Sequence, residues 1–187
     1  DEWDEEAERR GLDVETSGPE MISAFTRKDS VEMFARVGVY SEKELEARNE
    51  VKWETYSKKI QIEARVIGRM AINHIIPTAL SYQKKLLENI ALMKQVFPDS
   101  YEQQADTEIA IVKQISALTT DLRRKVDDMI EARKEANVII SEYEKAKAYY
   151  LIAESLFGIR TLVDTLEEIV DNDMWPLPKY RELLFIN

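Results

Sequence analysis

The feature that most constrains this chain is the segment opening at "SEKELEARNE" and running to Phe97, which begins with a helix-start signal and then meets almost no helix breaker. Ser41 followed three residues later by Glu44 is a capping box, in which each side chain satisfies a backbone N–H in the other's turn. From there to Phe97 the only interruptions are Gly68 and Pro77. Apolar or small residues recur at Ile60, Ala64, Ile67, Ala71, Ile75, Thr78, Tyr82, Leu86, Ile90, Met93 and Phe97. The steps of three and four average close to the helical period of about 3.6, which predicts a long helix with one face buried along its length.

Two further stripes follow. Phe97-Pro98-Asp99-Ser100 breaks the first pattern, and Asp99 or Ser100 is placed to cap a second helix beginning near Tyr101. Its apolar positions are Ala105, Ile109, Val112, Ile115, Leu118, Leu122, Val126 and Met129, fading through the polar "EARKEAN". The third stripe is Ala146, Tyr149, Ala153, Leu156, Ile159, Val163, Leu166 and Val170, with a mean step near the coiled-coil value of about 3.5 that suits antiparallel packing. Glycine and proline number only five each. The β-branched cluster Val138 to Ile140 sits inside helical patterns without flanking turn residues, so no strand is predicted. The expected fold is all-α: a bundle of three long antiparallel helices, the first kinked at Pro77.

Shorter elements precede and follow this body. Asp1 to Arg10 predicts a short helix stopped by Gly11, and "DVETSGPE", Asp13 to Glu20, reads as a linker. Val31, Phe34, Ala35 and Val37 form the apolar face of a short helix capped by Asp29 or Ser30 and ended by Gly38. Residues 1–19 are thus expected to be the end of an upstream region with its linker, and 20–187 the helical domain. At the C-terminus, prolines on both sides of Leu177 force a turn before a last short helical turn. Trp175, Leu177, Tyr180, Leu184 and Phe185 are too many large apolar groups to hang in water, so this Pro-rich tail is expected to dock, on its own bundle or on another subunit.

Reactive chemistry is sparse. His74 is the single histidine, and metal sites without cysteine need two or three imidazoles or a convergent set of carboxylates. Asp127-Asp128 and Glu167-Glu168 are adjacent pairs that point about 100° apart on a helix and read as solvated faces, as does Arg123-Arg124-Lys125. Tyr149-Tyr150 and the tryptophans offer a stacking platform, or a core. No Gly-rich phosphate loop, nucleophile elbow or cysteine nucleophile is present. A net charge of −10 disfavours nucleic acid and anionic membranes, no apolar run approaches the span of a bilayer, and the absence of cysteine fits a reducing cytoplasm. Pro77 removes the donor that would bond Asn73 and crowds its carbonyl, so a bend is expected there with His74 and Asn73 beside a freed carbonyl. On these grounds the chain is an interaction or structural module.

Four blocks in order resemble the C-terminal region of type III glutamine synthetases, the large bacterial form: "DEWDEEAERRGL" (Asp1 to Leu12), "VEMFARVGVYSEKELEARNEVKWETYSKKIQIEA" (Val31 to Ala64), "INHIIPTALSYQ" (Ile72 to Gln83) and "EEIVDNDMWPLPKYRELLF" (Glu167 to Phe185). The helix Tyr101 to Asn137 adds little to the likeness. The resemblance implies a parent that ligates ammonia to glutamate with ATP and Mg or Mn, through a γ-glutamyl phosphate, in stacked hexameric rings. It also implies that the catalytic residues lie upstream, so that no catalytic, cofactor or metal ligand falls on this chain. Asp1, in place of an initiating methionine, agrees with a piece of a longer polypeptide. The expected partners are the catalytic domain of the same chain and neighbouring subunits of a homo-oligomer; the alternative is a free-standing helical adaptor that takes a partner helix in a groove.

Overall fold

A computed structural model describes residues 2–184, and every regular element among them is helical. In chain order these are α1 (Glu2–Arg9), α2 (Gly18–Ser23), a 3-10 turn (Ala24–Thr26), α3 (Lys28–Arg36), α4 (Glu42–Met70), a π turn (Ala71–Ile75), α5 (Ile76–Val96), α6 (Tyr101–Gln104), α7 (Asp106–Asn137), α8 (Glu142–Ile169) and α9 (Tyr180–Leu183). The chain divides into two compact units, Asp1–Ile62 with Ala132–Ala153, and Glu63–Glu131 with Glu154–Asn187.

In the first unit the local signals act much as expected. Gly11 takes φ +70°, and Leu12 N–H donates to Ala7 O at 2.9 Å while Gly11 N–H donates to Glu8 O, a Schellman ending that only a residue tolerant of positive φ allows cheaply. Gly38 at φ +68° repeats it, with Val39 N–H on Phe34 O. The capping box is formed: Ser41 N–H donates to Glu44 Oε2 at 2.8 Å, and Glu44 N–H to Ser41 Oγ at 3.4 Å. That backbone bond, with the Ser41 hydroxyl second, holds the Glu44 carboxyl below its ordinary value of 4.5. A group lowered on folding stabilises the protein fully above its ordinary pKa, and the contribution is lost as pH falls through the depressed value. Ser41→Ala is therefore expected to cost about 1 kcal/mol at neutral pH. In urea titrations the part of that difference due to the Ser41 hydroxyl on the Glu44 carboxylate should fade as pH falls below about 4.5, while the part due to the lost acceptor for Glu44 N–H persists; no difference at neutral pH would count against the cap.

Three expectations are corrected in this unit. The loop expected to reach Glu20 ends at Ser17, because Ser17 Oγ accepts from Glu20 N–H and Pro19 fits the first turn of α2. This helix is pinned: Trp53 Nε1–H donates to Pro19 O at 3.1 Å, the Tyr143 hydroxyl donates to Glu20, and a Cβ on Gly18 would lie 2.9 Å from the Tyr56 ring. Neither Asp29 nor Ser30 caps α3, which starts two or three residues earlier, at Lys28; Ser30 Oγ donates instead to Ala24 O at 2.8 Å. Finally, Val138 to Ile140 lie outside any helix, in the connection from α7 to α8, where Val138 and Ile140 are exposed. Ser141 starts α8 by accepting from Glu144 N–H.

The second unit has its buried face on Ala64, Ala71, Ile75 and Ala79 from the first long element, Ile115, Leu122, Val126 and Met129 from α7, and Leu156, Ile159, Leu166 and Val170 from α8. A Cβ on Gly68 would stand 3.1 Å from Met129 Cε, so this glycine lets the two helices approach closely. The first stripe is not buried to its end: Tyr82, Leu86, Ile90 and Met93 are half-buried and Phe97 is exposed. There α5 meets α7 through polar bridges instead, Gln83 Nε2–H on Val112 O and Asn89 Nδ2–H on Glu108. The second long helix begins at Asp106, not Tyr101, because Ala105 leaves helical geometry (φ −106°, ψ 19°) after the single turn α6, and the Ser100 side chain makes no cap bond. Arg123, Arg124, Asp121, Asp127 and Asp128 pair along α7 as an ion ladder in solvent.

Candidate functional site

The two sequence features that stood out, the tail and the Pro77 segment, meet at one place in the second unit. After α8, Asp171 O accepts from Met174 N–H and Trp175 N–H, and Asp171 Oδ1 accepts from Asp173 N–H at 3.0 Å. This turn drives the Trp175 ring inward to 8% exposure. Pro176 and Pro178, with no N–H to satisfy, then carry Leu177 across an apolar cleft of about 320 Å3. The cleft is lined by Trp175, Leu177 and Leu183 of the tail, by Ala71 and Ile75 of the π turn, and by Ile159 and Val163 of α8.

Lys179 fastens the strap. Its Nζ donates to Glu167 O at 2.9 Å, in the last turn of α8 where carbonyls lack helical partners and a cation is favoured, and also to Asn172 Oδ1. The same ammonium stands 5.9 Å from the Trp175 ring centroid. Lys179 N–H donates to Glu182 Oε2, opening α9.

On the other wall, Pro77 lies in the first turn of α5, and the turn before it is π: Ile76 N–H donates to Ala71 O, five residues back. A π turn adds one residue to the turn ahead of the pyrrolidine ring, where the ring needs room, and so accommodates a missing donor without ending the helix. It also sets Ala71 and Ile75 inward, each 1% exposed. His74 and Asn73 are exposed on the other side, and neither side chain donates a hydrogen bond to a carbonyl among the described residues. Of the tail residues singled out, Trp175 and Leu177 share the cleft, while Leu184 is 78% exposed. Phe185 and the Tyr180 side chain lie outside the described residues.

A polar cluster in the first unit had no counterpart in the sequence pattern. Gln61 Nε2–H donates to Asn137 Oδ1 at 2.6 Å and to the Tyr149 hydroxyl at 3.0 Å, and that hydroxyl donates to Asn137 Oδ1 at 2.7 Å. Tyr149 is thus core, not a stacking platform: its ring is 1% exposed. Nearby, the bond to Glu20, followed by burial, pushes the Tyr143 hydroxyl above its ordinary pKa. Only the spacing of Tyr149 within the third stripe hinted at any of this.

Among the described residues no three His, Asp or Glu side chains converge so as to hold a divalent cation, and no Gly-rich turn presents backbone N–H groups to phosphate. The donor set therefore does not fit ATP or Mg and Mn, and no chemical step is derived through them. Among the same residues no helix is long and apolar enough to cross a membrane.

Residues 1–94 match the family model described as the glutamine synthetase C-terminal domain. Over 99% of its length the chain is 43% identical to a glutamine synthetase of Bacteroides fragilis, and likewise 28% identical to a type-3 glutamine synthetase of Dictyostelium discoideum and 25% to a glutamine synthetase of Butyrivibrio fibrisolvens. It spans about a quarter of the length of these relatives, 26%, 25% and 26%. The family match covers half of the chain, from α1 through the π turn to the end of α5, and on that evidence the chain belongs to the glutamine synthetase C-terminal domain family.

Proposed function

We propose that this protein is the non-catalytic C-terminal helical part of a glutamine synthetase, and that it serves subunit packing and ring assembly. The parent would ligate ammonia to glutamate with ATP and Mg or Mn in the cytoplasm, on a catalytic body outside this chain. In this reading residues 1–19 are the end of that body and its linker, and 20–187 the helical domain. Its three long helices run antiparallel, the first bent at Pro77. Partners are the catalytic body of the same polypeptide and neighbouring subunits.

The observation that carries the assembly role is the end of the tail. Trp175 and Lys179 fasten the strap to its own chain, yet Leu183 and Leu184 remain 52% and 78% exposed just beyond it. An exposed leucine at 184, beside a half-exposed Leu183 at the mouth of the cleft, suits a surface that a neighbouring subunit covers. In the intact enzyme, Leu184→Asp is expected to weaken ring assembly about tenfold, equivalent to about 1.4 kcal/mol, as read from the concentration dependence of mass in light scattering. Unchanged assembly would sink this role. The 187-residue chain alone is expected to show no turnover with ATP, glutamate and ammonia; measurable turnover would overturn the non-catalytic reading.

A further inference from the structure

A groove in the first unit carries a second uncovered surface, distinct from the tail. It lies between the 3-10 turn and α3 on one side and the first turns of α4 on the other, with a volume of about 620 Å3. Leu45 is its buried floor; Phe25, Phe34, Tyr40 and Val51 form its walls. Phe25 and Val51 are 42% and 59% exposed. The helix beside it, α3, buries none of its residues, and its Met33 and Val37, one helical turn apart, are both exposed. Its Val31 and Phe34 are only half-buried, Phe34 against Tyr40, so much of the apolar face of this helix is left without packing of its own.

The charges point the same way. This chain has 36 acidic and 26 basic residues, so a cation finds a carboxylate easily. Arg48 and Lys52, on the groove, have no ion pair among the described residues. Arg48 lies 4.5 Å from the Tyr40 ring centroid and the Lys52 Nζ 3.1 Å from that of Phe25, with burial, then Arg48, holding the Lys52 pKa down. Glu44, the carboxylate on the groove, is already taken by Ser41. Aromatic walls with an arginine among them are the composition of an interface centre; Arg48, in electrostatic reach of Glu44, and Lys52 add positive charge beside those walls without a close ion pair.

We infer that this groove seats the remaining part of the same polypeptide in the intact enzyme, through apolar side chains flanked by a carboxylate opposite Arg48 and Lys52. The inference rests on the reading of this protein as part of a glutamine synthetase. The relatives are about four times as long as this chain, and the family is defined as a C-terminal domain, so the polypeptide outside it is large and precedes α1 and the groove in sequence. A partner on the same chain is held at high effective concentration, which makes it the favoured occupant over a separate molecule.

The test uses the intact enzyme carrying Val51→Cys; this part of the protein has no cysteine, so the label maps to one peptide by mass. Retained ligase turnover reports correct folding. Maleimide labelling at residue 51 is expected to be at least about tenfold slower than in the same protein unfolded in urea, and to stay slow after the rings are separated into subunits. Lys52→Glu in the same background should speed it. Labelling at nearly the unfolded rate overturns the proposal. Protection that vanishes on separation into subunits also overturns it, because the occupant is then a neighbouring subunit. Neither result depends on whether Leu184→Asp alters ring mass, so the groove and the assembly role fail separately.

Discussion

Replacing Trp175 with alanine is expected to lower the stability of the protein by about 3–5 kcal/mol, the usual cost of removing a buried large aromatic. Trp175 is 8% exposed and faces Ile75 and Ala71 across the cleft, so the void left behind would be walled by a π turn that cannot relax freely toward it. The ring also anchors a strap with few other holds, chiefly the Lys179 bond to Glu167 O. Its loss should therefore release residues 176–184, and trypsin should cut after Lys179 in the variant well before it does in the parent. Urea unfolding gives the energy, and Leu184→Ala serves as the control, expected within about 0.5 kcal/mol because its side chain is exposed. Ile75→Ala should cost about 2–5 kcal/mol alone and less than additively with Trp175→Ala, since both empty the same space. A Trp175→Ala cost below about 1 kcal/mol would show that the tail does not dock in this cleft.

The parts of the fold legible in the sequence are those decided within one or two turns of chain. Gly11, Gly38 and the Ser41–Glu44 box act locally, so their residue types predict their roles. Two comparable local signals compete with their surroundings. Ser17-Gly18-Pro19-Glu20 carries a cap residue, an N-terminal proline and a glutamate three residues on, and Ser141 with Glu144 has the same spacing. The first lies in a stretch rich in small residues that has the composition of a linker, and the second follows Val138 to Ile140, whose hydrophobicity continues a helical pattern. Pro77 announced a disturbance but not its remedy, because a π turn is a choice of hydrogen-bond register and leaves no mark on side-chain periodicity. The docking of Trp175 was legible as a need to be buried. Its location was not, since one wall of the cleft is made by Ala71 and Ile75, about a hundred positions earlier in the chain.

Tyr149 offers the sharpest separation of packing from hydrogen bonding. Tyr149→Ala is expected to cost about 3–5 kcal/mol, because a ring 1% exposed would leave a cavity where α8 leaves the connection to α7. Tyr149→Phe keeps the ring and removes the hydroxyl that accepts from Gln61 and donates to Asn137. Gln61 still reaches Asn137 Oδ1 directly at 2.6 Å, so neither amide is orphaned and the cost should be only about 1 kcal/mol. Gln61→Ala and Tyr149→Phe each break the bond between these two side chains, and water replaces the donors lost by the exposed Asn137, so the pair should cost less than the sum of the single changes by about 0.5–1 kcal/mol. Double-mutant urea unfolding measures that difference. Strict additivity would mean that three side chains in mutual contact act independently, and the cluster would then be incidental to how α4, α7 and α8 are held together in the first unit.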